Sequence, residues 1–327
     1  MADNWVSQLR QLNDRLVRSF SDQTLGNKGE RRAVLQRAGS IQRMERLSDV
    51  RLRAVLGDKI LVGVDGSINT FGGQYPYYVD LLRALAKPTR GEALVLTDLH
   101  CPLPPEGDED DETALRKDNE ARQQKLAELE VQVAIEAIDR YEPAVILMDG
   151  PLVRFDMRAK DSFLVLCDKV ITRNIVLLGC IENIESKVLD TVLGTQAPSG
   201  WRNRFDRDLL WDTLDFGEVL VVEKPGKGLP RPGSHDPAVP ICTWFMRSSY
   251  DPAVVGLDVL AAQVPLASRY IDYLFTLSPA DGRGIPIWLD LVDREVRLTD
   301  VELEAYTGLL EPDVKRIFRS KRDARFY

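Results

Sequence analysis

Two apolar runs in this 327-residue chain close in the same way: KILVGVDGS (59–67) and AVILMDGPL (144–152) each end on Asp-Gly. β-Branched and small residues without a polar break predict buried strands. The glycine after each aspartate lets the backbone turn sharply, so each strand is predicted to enter a turn there. Asp65 and Asp149 then project into the crevice where α/β folds place their ligands. One Asp-Gly after a strand is ordinarily just a turn; two within one domain point to a shared acidic site.

The segment between them adds a third acid. A long helix is predicted from about Thr113 to Tyr141, in which Leu126, Leu129, Val133, Ala134, Ala137, Ile138 and Tyr141 recur at helical spacing. Glu130 falls inside that stripe, Glu128 points the opposite way and Glu136 lies at its edge. A core-facing carboxylate needs a cation or strong donors, because burying it unpaired costs several kcal/mol. A metal ion and a buried arginine are both open as that partner.

The remaining segments alternate in type. Strands are predicted over 75–86, 92–100, 174–182, 218–224, 241–247 and 254–260, and helices over 159–172, after Pro265 and after Thr299. This order favours an α/β fold whose mixed sheet contains parallel and antiparallel strands. Residues 1–56 read as an N-terminal helical arm of two helices, about 3–20 and 29–56. The main domain is expected over 57–300 and a basic C-terminal helix or tail over 301–327. The Pro- and Gly-rich stretch 224–240 is expected to be a loop.

Composition narrows the chemistry. With two histidines, His100 and His235, and four cysteines without a CxxC pair, metal chemistry has to rest on carboxylates. There is no GxxxxGK[ST] phosphate loop and no GxSxG elbow. Converging carboxylates suit Mg²⁺ or Mn²⁺, the hard ions typical of phosphoryl transfer. The net charge of −8 argues weakly against nucleic acid, but charge is unevenly placed. Residues 106–112 hold six acids in seven positions and read as a solvated loop, whereas Gly29–Leu56 carries seven arginines against three acids and 315–327 is strongly basic. No run approaches the length of a membrane span and the N-terminus lacks an apolar signal core, so a cytoplasmic protein is expected.

GVDGS (63–67), LAELEVQVA (126–134), LMDGPL (147–152) and GIPIWLDLVD (284–293) together resemble the NurA family of DNA-end-processing nucleases over about 57–300. The resemblance implies a ribonuclease-H-like fold, a homodimer, and Mn²⁺-dependent cleavage of single- and double-stranded DNA. It also implies a HerA-type hexameric ATPase as partner. In that pattern Asp65, Glu130 and Asp149 are the metal ligands, with Glu128 as the fallback for Glu130. The family's archaeal form has a Tyr and, eight residues on, a His where this chain has Ile285 and Asp293. Asp293 is thus either a fourth ligand or a surface acid.

Ser67 could bond a phosphate or the Asp65 carboxylate, or stabilise a turn, and Lys187, which resembles a family lysine after the central strand, could contact the scissile phosphate but equally reads as a solvated side chain. Tyr75, Tyr77 and Tyr78 could stack on bases or pack in the sheet. The resulting expectation is a metal-dependent DNA nuclease with two Mn²⁺ or Mg²⁺ ions, acting as a 5′–3′ exonuclease, a single-strand endonuclease or both. The alternative is a non-catalytic scaffold of the same fold that loads a DNA-translocating ring.

Overall fold

The computed structural model describes residues 2–73, 75–102, 110–226 and 239–318. Its strands are β1 Ser40–Arg43, β2 Leu61–Gly72, β3 Tyr78–Pro88, β4 Leu94–His100, β5 Val145–Asp149, β6 Val176–Ile181, β7 Glu218–Val221, β8 Ile241–Arg247 and β9 Val255–Leu260. The chain makes two compact units, one from residues 1–52, 180–229 and 240–286 and one from 53–179, 230–239 and 287–327. These units cut across the expected boundaries at 56 and 300. Among the described residues no helix is long and apolar enough to cross a membrane.

The unit holding Asp65 and Asp149 is organised by β2. β2 pairs antiparallel with β3 from Val62–Pro88 to Gly72–Tyr78, and β3 pairs antiparallel with β4. On its other side β2 runs parallel to β5, which is followed by β6, giving the order β6–β5–β2–β3–β4. This is the ribonuclease-H-like arrangement, with three antiparallel strands followed by a parallel strand beside the first. The apolar residues of β5 are all buried, as befits the centre of a sheet covered on both faces, while β3 alternates. β4 lies at the edge, with Val95 and Leu99 exposed.

Two helices of this unit meet β2. The helix Asp111–Tyr141 starts where the Asp110 carboxylate accepts the Thr113 amide at 2.9 Å and stops at Glu142, which is left-handed with φ 45° and precedes a proline. The predicted acidic loop therefore reaches no further than Asp110; residues 106–109 lie outside the described residues. The helix Ile287–Val296 buries Val292 and Val296 against Leu85. Its position is fixed by Ser67 Oγ, which donates to the Val296 carbonyl at 2.8 Å, and by Trp288 Nε1, which donates to the Lys87 carbonyl at 3.0 Å.

The other unit is built on β1–β7–β8–β9, antiparallel throughout. Here the single helix expected over 29–56 is corrected to a helix Lys28–Ala38, then β1, then a helix Asp49–Leu56. The break falls at Gly39, where a Cβ would stand 2.1 Å from the Val221 carbonyl oxygen, so only glycine lets β1 lie down beside β7. Nor is the segment a free-standing arm. Val34, Leu35 and Ala38 belong to a core with Trp201, Leu220 and Phe245, and Arg32 grips Glu218 with two bonds of 2.6 and 2.9 Å. Only the helix Ala2–Ser19 has an arm's character, with Trp5, Leu9, Leu12 and Leu16 exposed.

Most of 224–240 and residues 319–327 of the predicted basic tail lie outside the described residues. Replacing Gly39 by Ala is expected to destabilise the protein by about 3 kcal/mol or more, because backbone rather than a movable side chain must yield. Denaturant unfolding monitored by fluorescence measures the change, and a loss below about 1 kcal/mol would show that β1 tolerates displacement.

Candidate active site

β2 does not turn after Asp65; it continues as strand to Gly72, because pairing with β3 satisfies its backbone along the whole run. The predicted turn at Asp65-Gly66 is thereby corrected. The second Asp-Gly is a true turn, with Gly150 at φ 97° just past the end of β5. The parallel register finishes with Val64 beside Met148, so the next step along both strands places Asp65 next to Asp149.

Gly66 serves another purpose. A Cβ there would lie 2.8 Å from both Glu130 Cγ and Leu126 Cδ1, and 2.9 Å from Glu130 Cδ. The missing side chain lets the long helix press Glu130 against β2 one residue past Asp65. Glu130 is only 1% exposed, whereas Glu128 bonds Gln132 and Ser162 on the helix's outer side and Glu136 faces solvent.

Electrostatics report how close the acids are. The Asp65 carboxyl is pushed from its ordinary 3.8 up to about 7, first by burial, then by the charges of Asp149 and Glu130 and, more weakly, Asp293. One bond opposes this, from the Gly66 amide to Asp65 Oδ1 at 2.7 Å. Glu130 is likewise raised by burial, against the pull of Arg154. Asp293 sits on the helix Ile287–Val296 and pairs with Arg297 at 2.6 Å.

Arg154, which sequence reasoning passed over, is the cation that Glu130 requires. Its guanidinium donates to Glu130 Oε2 at 2.7 Å and to the Asp149 carbonyl at 3.3 Å, and stacks 4.5 Å from the Phe155 ring centre. The demand of a buried glutamate for a cation, with an arginine three residues beyond Pro151, was the available signal. Among the described residues no three His, Cys, Asp or Glu side chains form a ready cage for a metal ion. The acids are gathered, with Arg154 as the counter-charge on Glu130.

Other candidates are placed differently. Ser67 is engaged by the Val296 carbonyl and by Asn69, which makes it a tie between strand and helix. Lys187 belongs to the other unit, exposed at the head of the helix Val188–Leu193, with its ammonium 5.1 Å from the centre of the Phe205 ring. Ile285 is buried in that unit. Tyr78 is buried too; its hydroxyl bonds Asp118, whose other oxygen meets His100 Nε2 at 2.8 Å. Beside them Arg122 donates to Asp80 at 3.0 Å. His235 lies outside the described residues.

A family model described as the NurA domain matches residues 59–298. No curated protein matches the chain. Among solved structures, the catalytic domain of human endonuclease V is similar at 14% identity and TM-score 0.37, covering 89% of this chain and all of that one. Endonuclease V of Ciona intestinalis, in complex with a 24-mer DNA containing an inosine followed by a ribo-adenosine, is similar at 14% identity and TM-score 0.35, covering 78% of this chain and 94% of that one.

The raised Asp65 carboxyl sets a pH dependence. A carboxyl that holds its proton more tightly folded than unfolded contributes stability below about pH 4 and loses it as pH rises through about 7. In EDTA, Asp65→Asn is therefore expected to be more stable than wild type at pH 8, by a few kcal/mol, with the difference shrinking toward pH 4. Thermal unfolding of both proteins across that range measures it. A variant less stable than wild type at pH 8 would mean that Asp65 is satisfied as an anion.

Proposed function

Because the chain belongs to the NurA family, we propose that it is a divalent-metal-dependent DNA nuclease whose centre is Asp65, Glu130 and Asp149, with Asp293 assisting. Beyond family membership, the observation that carries this reading is the raised Asp65 carboxyl, pushed up by burial and then by the charges of Asp149 and Glu130. Two buried carboxylates, Asp65 and Glu130, whose affinity for protons is raised by burial and by the neighbouring Asp149 charge, would also attract a cation. The donors are all oxygens, which suits Mn²⁺ or Mg²⁺, two ions in the reading we favour. When bound there, the metal supplies Lewis acidity and charge neutralisation at a phosphodiester.

The chain's own groups prepare that step. Asp65, held near neutrality, gives up its proton when a cation arrives, so binding is expected to tighten as pH rises. Arg154 supplies the counter-charge for Glu130 beforehand, and its second bond, to the Asp149 carbonyl, holds the guanidinium beside the end of β5. DNA is the substrate we propose, attacked at ends by 5′–3′ exonuclease action, within single strands, or both. The chain would work as a homodimer with a HerA-type hexameric ATPase, in the cytoplasm.

One observation favours a second reading, in which the same fold is a non-catalytic scaffold that loads a translocating ring: the Glu130–Arg154 pair already answers Glu130's charge. End-labelled duplex and single-stranded DNA incubated with Mn²⁺ or EDTA separates the two. The nuclease reading expects Mn²⁺-dependent degradation, reduced on the order of 10²-fold or more by Asp149→Ala, since losing a ligand removes several kcal/mol of transition-state stabilisation. Intact DNA in Mn²⁺, with or without the ATPase, would leave the scaffold.

A further inference from the structure

The unit built on β1, β7, β8 and β9 contains a cavity of about 440 Å³, within the size range of small-molecule sites. Its floor is apolar, formed where Leu25, Ile184 and Val254 surface from the core of that unit. Two aromatic side chains stand at the cavity, Phe20 and Trp211, each about half exposed at 45% and 53%. The Trp211 ring is open to a visitor, whereas the Phe20 ring already carries the Arg204 guanidinium 5.3 Å from its centre.

Two arginines and two acids line the cavity: Arg31, Arg207, Glu182 and Asp208. Glu182 is held by Arg283 at 2.8 Å, and Asp208 stands 3.7 Å from Arg207, so each acid has its own arginine. Arg31 is left over. Its Nε is buried without a hydrogen-bond partner, and no described carboxylate pairs with it. The next residue on the same helix, Arg32, instead grips Glu218 with two bonds. A buried donor left unpaired is costly and uncommon in folded proteins, and a guanidinium is the side chain best shaped to receive an oxyanion.

We propose that this cavity binds a nucleoside 5′-monophosphate, free or as the phosphorylated end of a DNA strand, with the phosphate on Arg31 and the base against Trp211 and Phe20. An arginine with an unpaired buried donor, the open ring of Trp211 and an apolar floor match a ligand that joins an anion to a flat aromatic ring. Binding there needs none of Asp65, Glu130 or Asp149, and needs no metal.

The test is calorimetric titration of the full chain in EDTA with thymidine 5′-monophosphate and with thymidine, then with thymidine oligonucleotides bearing or lacking a 5′-phosphate. Wild type should prefer the monophosphate over thymidine by about tenfold or more, and Arg31→Gln should abolish that preference. Asp149→Ala should retain it, which keeps the outcome separate from any loss of nuclease activity. A matching preference among the oligonucleotides identifies a strand end as the ligand; a preference confined to the monophosphate identifies the free nucleotide. Equal affinity of wild type for thymidine and its monophosphate overturns the proposal without recourse to a variant, as does an undiminished preference in a folded Arg31→Gln protein.

Discussion

The candidate active site depends on one close approach, that of the helix Asp111–Tyr141 to β2 at Gly66. Leu126 and Glu130 both occupy the space a side chain at Gly66 would claim. That contact carries a carboxylate into a nearly solvent-free position next to Asp65, and the parallel register of β2 and β5 brings in Asp149. Separately each acid is ordinary; together they place negative charge beside two buried carboxyls, Asp65 and Glu130. Arg154 answers the charge at Glu130, while burial and then the charges of Asp149 and Glu130 raise the affinity of Asp65 for its proton.

Much of this was legible in the sequence because it follows from periodicity and length. An unbroken apolar run marks β5, alternation marks β3, and the stripe of the long helix separates buried Glu130 from Glu128 and Glu136. The errors share a cause. Gly66 reads as a turn and Gly39 as a residue tolerated inside a helix, since glycine is where local propensity says least. Both sit where another segment comes too near for any Cβ, Glu130 in one case and the Val221 carbonyl in the other. Such approaches depend on residues remote in sequence, so no local pattern announces them. The same holds for Ser67, whose hydroxyl serves a helix end 229 positions away.

The two arginines that matter most illustrate opposite solutions to burying a cation. Arg154 is spent on a carboxylate that would otherwise be stranded, and sequence logic could have demanded it. Arg31 has a buried donor with no counterpart, which no sequence pattern foretells because it is a statement about what is missing from its surroundings. One explains how an acidic centre can exist in a folded protein; the other is the residue on which the proposed phosphate site rests.

The most direct measurement is anomalous diffraction from a crystal of the protein soaked in Mn²⁺. The account predicts a manganese peak bounded by Asp65, Asp149 and Glu130, with the Arg154 guanidinium displaced from Glu130 Oε2. A peak elsewhere, or no peak with the Glu130–Arg154 pair unchanged, would contradict it.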